Sequence, residues 1–321
     1  MLVNGQWSTK WHPFQKSGKN GEFIRQTSSF RHWVTKDGTS GKTGDSGFKA
    51  EPERYHLYLA YICPWASRVL MALHLKGLEK IISVSIVDPV LTDYGWQFNI
   101  NSNGISGSTP DHLHGYHHIY QLYIKADPTC TGRATIPLLW DKKNNTIVNN
   151  ESADILEMLN SAFNEWAEQS IDLRPSNYIT EMETLNAQIY DNINNAVYRA
   201  GFAQNQAVYE QATTDLFDCM NQMERKLTNN RFLMGEQFTE SDIRLFVTLI
   251  RFDLAYYSLF KCNLKNIANY PVLSRYIKEV YHYKNISETV KPDHIKQGYY
   301  SVKALNPQGI VPVGPTIEWM K

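Results

Sequence analysis

The segment from residue 55 to residue 86 constrains the fold of this chain more than any other. Alternating apolar side chains predict a strand at 55–59, and a second alternating run predicts another at 82–86. Between them, Pro64 at the first helical position and Gly77 just past the end bracket a helix of about three turns. Because strand, helix and strand at this spacing form a βαβ unit, the two strands are expected to be parallel.

The residues that follow extend this unit. A long polar connection covers about 89–115, and a helical pattern comes after it. Two apolar runs at 136–140 and 146–149 flank a turn sequence, which predicts an antiparallel hairpin, and a further helix begins near Glu151. The order βαβ, helix, ββα is typical of a thioredoxin-like domain.

The second half of the chain is predicted to be all-helical. Thr239 with Asp242 three residues later has the pattern of a capping box at a helix N-terminus. The expected fold class is therefore α/β plus all-α, with an N-terminal thioredoxin-like domain and a C-terminal helical bundle. The expected segments are an extension at 1–52, the thioredoxin-like domain at 53–165 with its inserted segment at 89–115, the helical domain at 175–290 and a C-terminal strap at 291–321.

Composition excludes several classes of protein. Lys plus Arg and Asp plus Glu number 32 each, so no net charge attracts nucleic acid or an anionic membrane. No apolar run approaches the ~18–20 residues of a membrane span, and residues 1–8 lack the apolar core of a secretory signal. Four cysteines without such a signal do not make a disulfide framework. We therefore expect a cytoplasmic protein without nucleic-acid or membrane partners.

Cys63 is the strongest candidate for a reactive residue. It lies between a strand end and a helix start, where backbone N–H groups and the helix dipole lower the pKa of a thiol and favour the nucleophilic thiolate. A dithiol motif would place a second cysteine at position 66, which is alanine. An external thiol must then resolve a mixed disulfide on Cys63, which favours glutathione chemistry. The alternative interpretation is a small buried core residue.

Two further positions have both a functional and a structural interpretation. Pro137 begins the third predicted strand; in a thioredoxin-like sheet this proline is cis and the backbone before it, at Ile136, pairs with a peptide-like substrate. The alternative is an ordinary proline at the start of a strand. Glu151 and Ser152 open a helix, where they match the ammonium and the carboxylate of an α-amino acid such as a γ-glutamyl group. Read alone, they form a helix cap.

The chain resembles the cysteine-type glutathione transferases. The motifs that carry this resemblance are Cys63-Pro64-Trp65-Ala66, Thr135-Ile136-Pro137, Asn150-Glu151-Ser152 and the capping box from Thr239 to Asp242. More narrowly, the chain resembles the glutathionyl-hydroquinone reductases, or xi class, through segments that extend over nearly its whole length. Among these segments are 30–33, 95–98, 198–203 and 306–310.

The resemblance implies that Cys63 takes the glutathionyl group from a glutathionyl-hydroquinone and that a second glutathione then releases oxidised glutathione. Glutathione is thus the implied co-substrate, and the implied assembly is a homodimer. The residues implied to hold glutathione are Trp96, Arg133, Ile136, Glu151 and Ser152, with Pro137 structural at the site.

The resemblance further implies that Tyr198 and Tyr299 line the quinol pocket and hydrogen-bond the ring hydroxyls. Both can share a pocket only if the C-terminal segment folds back. Ser67 departs from the family pattern, because many relatives have His there.

Two alternative functions remain at this point. One is an omega-like thiol transferase or dehydroascorbate reductase, and the other is a non-catalytic scaffold or regulator with the same fold. The histidines at 112–118 lack nearby Cys or paired carboxylates, so no metal is expected there. Cys130, Cys219 and Cys262 belong to no motif and are expected to be packed and inert.

Overall fold

The computed structural model describes residues 1–9, 21–45, 47–99, 105–168 and 170–320. These residues divide into two compact units. The first consists of the described residues of 1–12 and 26–171, and the second of the described residues of 13–25 and 172–321.

The first unit contains eight strands and three helices among its described residues. The strands are β1 (Leu2–Val3), β2 (Gln6–Trp7), β3 (Trp33–Thr35), β4 (Gly47–Lys49), β5 (Tyr55–Leu59), β6 (Ile82–Ile86), β7 (Leu138–Asp141) and β8 (Thr146–Asn149). The helices are α1 (Pro64–Lys76), α2 (Ile119–Ala126) and α3 (Ser152–Ser161).

A four-stranded mixed sheet in the order β6-β5-β7-β8 forms the centre of this unit. Strands β5 and β6 are parallel with Tyr55 opposite Ile82, whereas β7 is antiparallel to both β5 and β8. The predicted βαβ unit, the parallel pair and the hairpin are therefore confirmed. Every residue of β5 and β7 is buried, because both strands lie inside the sheet.

The start and end of α1 follow from two residues that the sequence analysis singled out. Pro64 occupies the first helical position, where its missing N–H costs no hydrogen bond. Gly77 ends the helix in the left-handed conformation with φ 64°, and its N–H donates to the carbonyl of His74 at 3.0 Å. Strand β5 ends at Leu59 and α1 begins at Pro64. Cys63 therefore lies at the N-terminus of α1.

The N-terminal extension covers the outer edge of the sheet. The N–H of His32 donates to the carbonyl of Val148 at 3.0 Å, and the N–H of Asn150 donates to the carbonyl of Phe30 at 3.1 Å. These bonds satisfy a carbonyl of the edge strand β8 and the N–H of the residue that follows it, which would otherwise be open to pairing with another chain. Trp33 is buried beside them.

Helices dominate the second unit. They are α4 (Ile179–Ile189), α5 (Ala196–Gly201), α6 (Gln206–Lys226), α7 (Glu240–Arg251), α8 (Pro271–His282) and α9 (Pro292–Tyr300). One π-helical turn, Tyr190–Asn194, lies between α4 and α5, and another, Phe252–Tyr256, follows α7.

The first π-helical turn explains an apolar pattern in the sequence. Leu185, Ile189, Ile193 and Val197 follow each other at four-residue steps, which in a straight α-helix drift by about 40° per step. The wider turn at 190–194 corrects this drift. All four side chains are consequently buried.

The structure differs from the predicted strap at 291–321 over its first part, which is helix α9. Pro292 at the first helical position starts this helix. Burial of Ile295, Tyr299 and Tyr300 stabilises it although Gly298 and two aromatic residues are weak helix formers. Tyr299 therefore lies on a helix and not on an extended segment.

The predicted capping box at the start of α7 is confirmed, and it is part of a larger buried cluster. The carboxylate of Asp242 accepts hydrogen bonds from the N–H of Thr239 and the N–H of Leu233, both at 2.9 Å. The hydroxyl of Tyr276 on α8 donates to the same carboxylate at 2.9 Å. Burial raises the pKa of Asp242 to about 6.

We predict that Tyr276→Phe destabilises the chain in a pH-dependent way. Above the raised pKa of Asp242 the carboxylate is ionised, and losing a hydrogen bond to a charged group lowers the free energy of unfolding by about 1.5–3 kcal/mol. At pH 5 the carboxyl group is protonated in the folded state, so the loss is smaller. Urea denaturation followed by circular dichroism at pH 5 and pH 8 measures the difference.

The matched control is Tyr270→Phe. The Tyr270 hydroxyl is also buried in this unit but has no hydrogen-bond partner within the described part of the chain. Its removal is expected to leave the free energy of unfolding unchanged at both pH values. An equal loss at pH 5 and pH 8 for Tyr276→Phe would contradict the role given to Asp242.

Candidate active site

Cys63 is the N-cap residue of α1. Its backbone is extended (φ −75°, ψ 117°), and its carbonyl accepts the hydrogen bond from the N–H of Ser67 at 2.9 Å that begins the helix. The thiol is therefore held at the positive end of the helix dipole. The Cys63 side chain is half-buried, and its Sγ donates a weak hydrogen bond to the carbonyl of Ile136 at 3.8 Å.

The other three cysteines are buried. Burial raises the pKa of the Cys130 thiol, raises that of Cys219 to about 11, and raises that of Cys262 further. Because the thiolate is the nucleophile, burial and the raised pKa both disfavour reaction at these three thiols. Cys63 is thus the cysteine at which thiol chemistry can take place.

The residue that faces Cys63 belongs to the start of β7. The peptide bond between Ile136 and Pro137 is cis, as the thioredoxin-like topology predicted. The hydroxyl of Tyr123 accepts from the N–H of Thr135 at 3.2 Å and donates to the Thr135 carbonyl at 2.8 Å. This fully buried tyrosine fixes the segment that leads to Ile136.

The same tyrosine is joined to the turn before α3. The amide nitrogen of Asn150 donates to the Tyr123 hydroxyl at 2.9 Å, and the amide oxygen of Asn150 accepts from the N–H of Phe30 at 3.1 Å. Asn150 thereby connects three segments of the first unit: the extension, helix α2 and the start of α3. From the sequence, Asn150 was predicted only as part of a motif, without a separate role.

Glu151 is the N-cap of α3. Its carboxylate accepts from the N–H of Ala153 at 3.2 Å, so the helix-cap interpretation is confirmed. The hydroxyl of Ser28 donates to the same carboxylate at 2.9 Å and holds it in place. Ser152 follows in the first turn and is buried. The contact with Ser28 was missed from the sequence because it joins residues 123 positions apart.

A positive charge lies beside this helix start. The guanidinium of Arg31 makes a two-point ion pair with Asp154 in the first turn of α3, with one of the two distances at 3.0 Å. The hydrogen bond to Asp154 raises the pKa of Arg31, and the negative charge of Glu151 contributes in the same direction. The first turn of α3 therefore presents backbone N–H groups, a carboxylate and a guanidinium within one small region.

Arg133 and Trp96 lie on connecting segments whose backbones are fixed. Gly132, next to Arg133, exchanges two backbone hydrogen bonds with Leu2 at 2.8 and 3.0 Å. The carbonyl of Trp96 accepts from the N–H of Ile119 at the start of α2 at 3.0 Å. Both side chains are half-buried and remain partly accessible to a ligand.

Tyr198 and Tyr299 meet in the second unit. Their hydroxyl oxygens are 2.7 Å apart, although the residues are 101 positions apart in sequence. The structure thus brings together the two tyrosines that the sequence analysis paired. A third tyrosine, Tyr256, lies 2.7 Å from the hydroxyl of Tyr299 and was missed. Its position in an aromatic run gives no periodic signal that would single it out.

Two negative findings apply to the described residues only. In that part of the chain no three or more His, Cys, Asp or Glu side chains are grouped as metal ligands. Within the predicted histidine tract, His112 is hydrogen-bonded to Ser85 at 3.0 Å, and His114 packs edge-on against Trp140. Among the helices described, none is long and apolar enough to span a membrane.

Comparison with known families gives two matches. Residues 62–162 match the family described as glutathione S-transferase, N-terminal domain. Residues 206–279 match the family described as glutathione S-transferase, C-terminal domain. Together the two matches cover more than half of the chain and fall one in each structural unit.

The chain is also similar over nearly its whole length to individual proteins. It is 45% identical to glutathionyl-hydroquinone reductase YqjG of Escherichia coli K12, over 98% of this chain and 94% of that protein. It is 44% identical to glutathionyl-hydroquinone reductase PcpF of Sphingobium chlorophenolicum, over 98% of this chain and 96% of the other.

Two solved structures have the same fold. The glutathione-bound structure of YqjG superposes with a TM-score of 0.90 at 42% identity, covering 99% of this chain and 97% of that one. The xi-class glutathione transferase of Natrialba magadii also gives a TM-score of 0.90, at 41% identity, covering 99% of this chain and 94% of that one.

We predict that one thiol of the native chain reacts rapidly with iodoacetamide at neutral pH. Cys63 is half-buried at a helix N-terminus, whereas burial keeps the other three thiols protonated. Intact-mass measurement and peptide mapping are expected to give one adduct, on Cys63. Cys63→Ser is expected to lose it, while the control Cys130→Ser keeps it. Rapid labelling of a buried cysteine would contradict this assignment.

Proposed function

This chain belongs to the glutathione S-transferase family, and on that basis we propose that it is a glutathionyl-hydroquinone reductase. It removes the glutathionyl group from a glutathionyl-hydroquinone through a mixed disulfide on Cys63 and yields hydroquinone and oxidised glutathione. The observation that carries the proposal is the single half-buried thiol at the N-terminus of α1, with alanine at position 66.

The comparisons support this function at the level of the whole chain. The resemblance to the xi class that the sequence analysis described is confirmed, since two relatives named glutathionyl-hydroquinone reductases match over 98% of the chain. A relative with a glutathione-bound structure has the same fold. Glutathione is accordingly the co-substrate of the proposed reaction.

The first step transfers the glutathionyl group to the enzyme. The Cys63 thiolate attacks the sulfur of the glutathionyl-hydroquinone, and the bond between that sulfur and the ring carbon breaks. The electron pair of this bond remains with the ring carbon, which takes up a proton. The products are hydroquinone and a disulfide between Cys63 and glutathione.

The second step restores the thiol. A glutathione thiolate attacks the glutathionyl sulfur of the mixed disulfide, and Cys63 leaves as a thiolate. Two glutathione sulfurs are oxidised to the disulfide while the ring carbon is reduced, so the electrons balance. No cysteine stands at position 66, and the three other thiols are buried, which leaves free glutathione as the resolving thiol.

The first unit supplies the groups that would hold glutathione. In this proposal the carboxylate of Glu151 pairs with the γ-glutamyl ammonium, while Ser152 and the N–H groups that open α3 take the carboxylate. The backbone of Ile136 pairs with the peptide portion beside Cys63. Arg133 and Trp96 complete the set: a guanidinium suits a carboxylate, and an indole covers the thioether.

The second unit supplies the hydroxyl groups for the ring. Tyr198 and Tyr299 are the groups that hydrogen-bond the quinol oxygens in this proposal, because a phenol hydroxyl both donates and accepts. Their 2.7 Å contact supports a joint role. Tyr198, whose side chain is half-buried, is the member of the pair that supplies the proton to the ring carbon.

The remaining features of the proposal concern the cell and the assembly. We propose that the protein acts in the cytoplasm, where thiols stay reduced, and that it forms a homodimer, the commonest assembly of soluble proteins. Ser67, where the resemblance implied His, is buried in the first turn of α1, and Cys63 is present four residues before it.

We predict that Cys63→Ser abolishes hydroquinone release. Because a hydroxyl is a far weaker nucleophile than a thiolate, turnover is expected to fall by about three orders of magnitude or more. Chromatographic detection of hydroquinone released from glutathionyl-menadiol measures this rate, and Cys130→Ser is the control that keeps it. A wild-type chain that reduces hydroxyethyl disulfide but not glutathionyl-hydroquinones would instead be an omega-like thiol transferase.

We also predict that Glu151→Gln weakens glutathione binding while leaving the helix cap in place. An amide keeps the oxygen that accepts from Ala153 but loses the charge that pairs with an ammonium. Affinity is expected to fall by about 1.5–3 kcal/mol, roughly 10- to 150-fold, in calorimetric titration. Glu157→Gln removes the same charge further along α3 and serves as the control. Equal affinity in both variants would leave Glu151 with its cap role alone.

A further inference from the structure

Three tyrosine hydroxyls form a hydrogen-bonded chain in the second unit. Tyr299 on α9 is in the middle, 2.7 Å from the hydroxyl of Tyr198 on α5 and 2.7 Å from that of Tyr256. Tyr256 lies in the π-helical turn that follows α7. The three linked hydroxyls therefore join three separate elements. Tyr256, which the proposed function does not use, is one of them.

The hydroxyl chain lies in an aromatic cluster. The ring of Phe260 packs against all three tyrosine rings, with centroid distances of 5.2 to 5.6 Å. Phe260 in turn lies so close to α5 that a Cβ at Gly201 would come within 2.5 Å of the ring. Apolar surroundings of this kind have a low effective dielectric constant, which strengthens hydrogen bonds within the cluster.

Burial falls along the chain from Tyr256 to Tyr198. The exposed fraction is 0% for Tyr256 and 5% for Tyr299, whereas Tyr198 is half-buried. Burial is the largest reason why the pKa of Tyr256 and that of Tyr299 lie well above the usual value, and the nearby Tyr198 raises both further. The two inner hydroxyls therefore stay protonated, and both are able to donate a hydrogen bond towards Tyr198.

Two guanidinium groups add positive charge near the chain. Arg25 stacks on the ring of Tyr198, with its central carbon 4.8 Å from the ring centroid, and its Nε donates to Asn195 at 2.9 Å. Arg251 at the end of α7 opposes the rise in the pKa of Tyr256 and Tyr299. Arg25 and Arg251 are therefore two positively charged groups that lie near the three tyrosines.

We propose that Tyr256 is a positioning residue for the proton that Tyr198 delivers to the substrate ring. Its hydroxyl donates to Tyr299, and Tyr299 in turn donates to Tyr198. The hydroxyl proton of Tyr198 is thereby directed away from Tyr299 and towards a bound quinol. This inference rests on the proposed function.

The linked hydroxyls also stabilise the phenolate that proton transfer leaves on Tyr198. The O–H bond of Tyr198 breaks as a C–H bond forms at the ring carbon, which uses the electron pair left by the broken carbon–sulfur bond. The phenolate that remains on Tyr198 accepts the hydrogen bond from Tyr299, which Tyr256 strengthens. A proton from solvent water then restores Tyr198.

The first test compares Tyr256→Phe with Tyr270→Phe, a control that also removes a buried hydroxyl in the same unit. Tyr256→Phe is expected to lower kcat for hydroquinone release about tenfold, the effect of one hydrogen bond, and to leave KM within about twofold. Exchange of Cys63 with hydroxyethyl disulfide needs no ring protonation and is expected to keep its rate. Equal losses in both reactions, or no loss of kcat, would overturn the proposal.

The pH profile separates positioning from a structural role. Without the donor at Tyr256, the alkaline limb of the kcat profile is expected to move to higher pH. Tyr256→3-fluorotyrosine keeps the ring and supplies a stronger donor, so it is expected to move this limb to lower pH. The fluorinated variant also allows the proposal to be tested if Tyr256→Phe does not fold. An unchanged profile in the fluorinated variant would refute the inference.

A readout that does not need turnover distinguishes this inference from the proposed function. Spectrophotometric pH titration follows tyrosinate formation directly, and a parallel titration in the Tyr198→Phe background identifies the signal of Tyr198. The fluorinated variant is expected to lower the pH at which this signal appears, and Tyr256→Phe to raise it. If the variants shift the pH at which the Tyr198 signal appears but the wild type releases no hydroquinone, only the proposed reductase activity is refuted. If the wild type is active but the variants cause no such shift, only the role of Tyr256 is refuted.

Discussion

The hydrogen bond from the N–H of Ser67 to the carbonyl of Cys63, which starts α1, is the interaction on which the position of the thiol depends. Strand β5 ends at Leu59, and the N–H of Cys63 turns back to the carbonyl of Ala60 at 3.2 Å. The helix then begins with Pro64, so the thiol lies where the helix dipole is positive and faces Ile136 across 3.8 Å. The backbone thereby holds the proposed nucleophile just past the end of an inner strand of the sheet.

In the proposed reaction, each unit contributes a different part of the chemistry. The first unit contains the thiol, the start of α3 and the half-buried Arg133, which together suit a small peptide with charged ends. The second unit contains three hydroxyls in an aromatic environment, which suits a phenolic ring. Disulfide exchange requires only the first set of groups. Release of a carbon-bound sulfur requires a proton donor as well, which is the role that we propose for the tyrosines.

Local features were predictable from the sequence, whereas long-range contacts were not. Pro64 and Gly77 bracket α1 because each restricts or permits a backbone conformation by itself, and Thr239 with Asp242 act within a single turn. Tyr256 was missed because its partner is 43 positions away and a hydroxyl contact has no periodicity. The predicted strap missed α9 for a related reason: burial of its aromatic side chains offsets weak helix propensity.

A single-turnover experiment tests the central claim most directly. The reduced chain is mixed with excess glutathionyl-hydroquinone in the absence of free glutathione, and hydroquinone is quantified while the protein mass is recorded. We expect a burst of one hydroquinone per protein molecule that stops when Cys63 carries one glutathionyl group. We further expect added glutathione to restart the release of hydroquinone. Continued turnover without glutathione, or release of hydroquinone from a chain that carries no adduct, would contradict the mixed-disulfide mechanism.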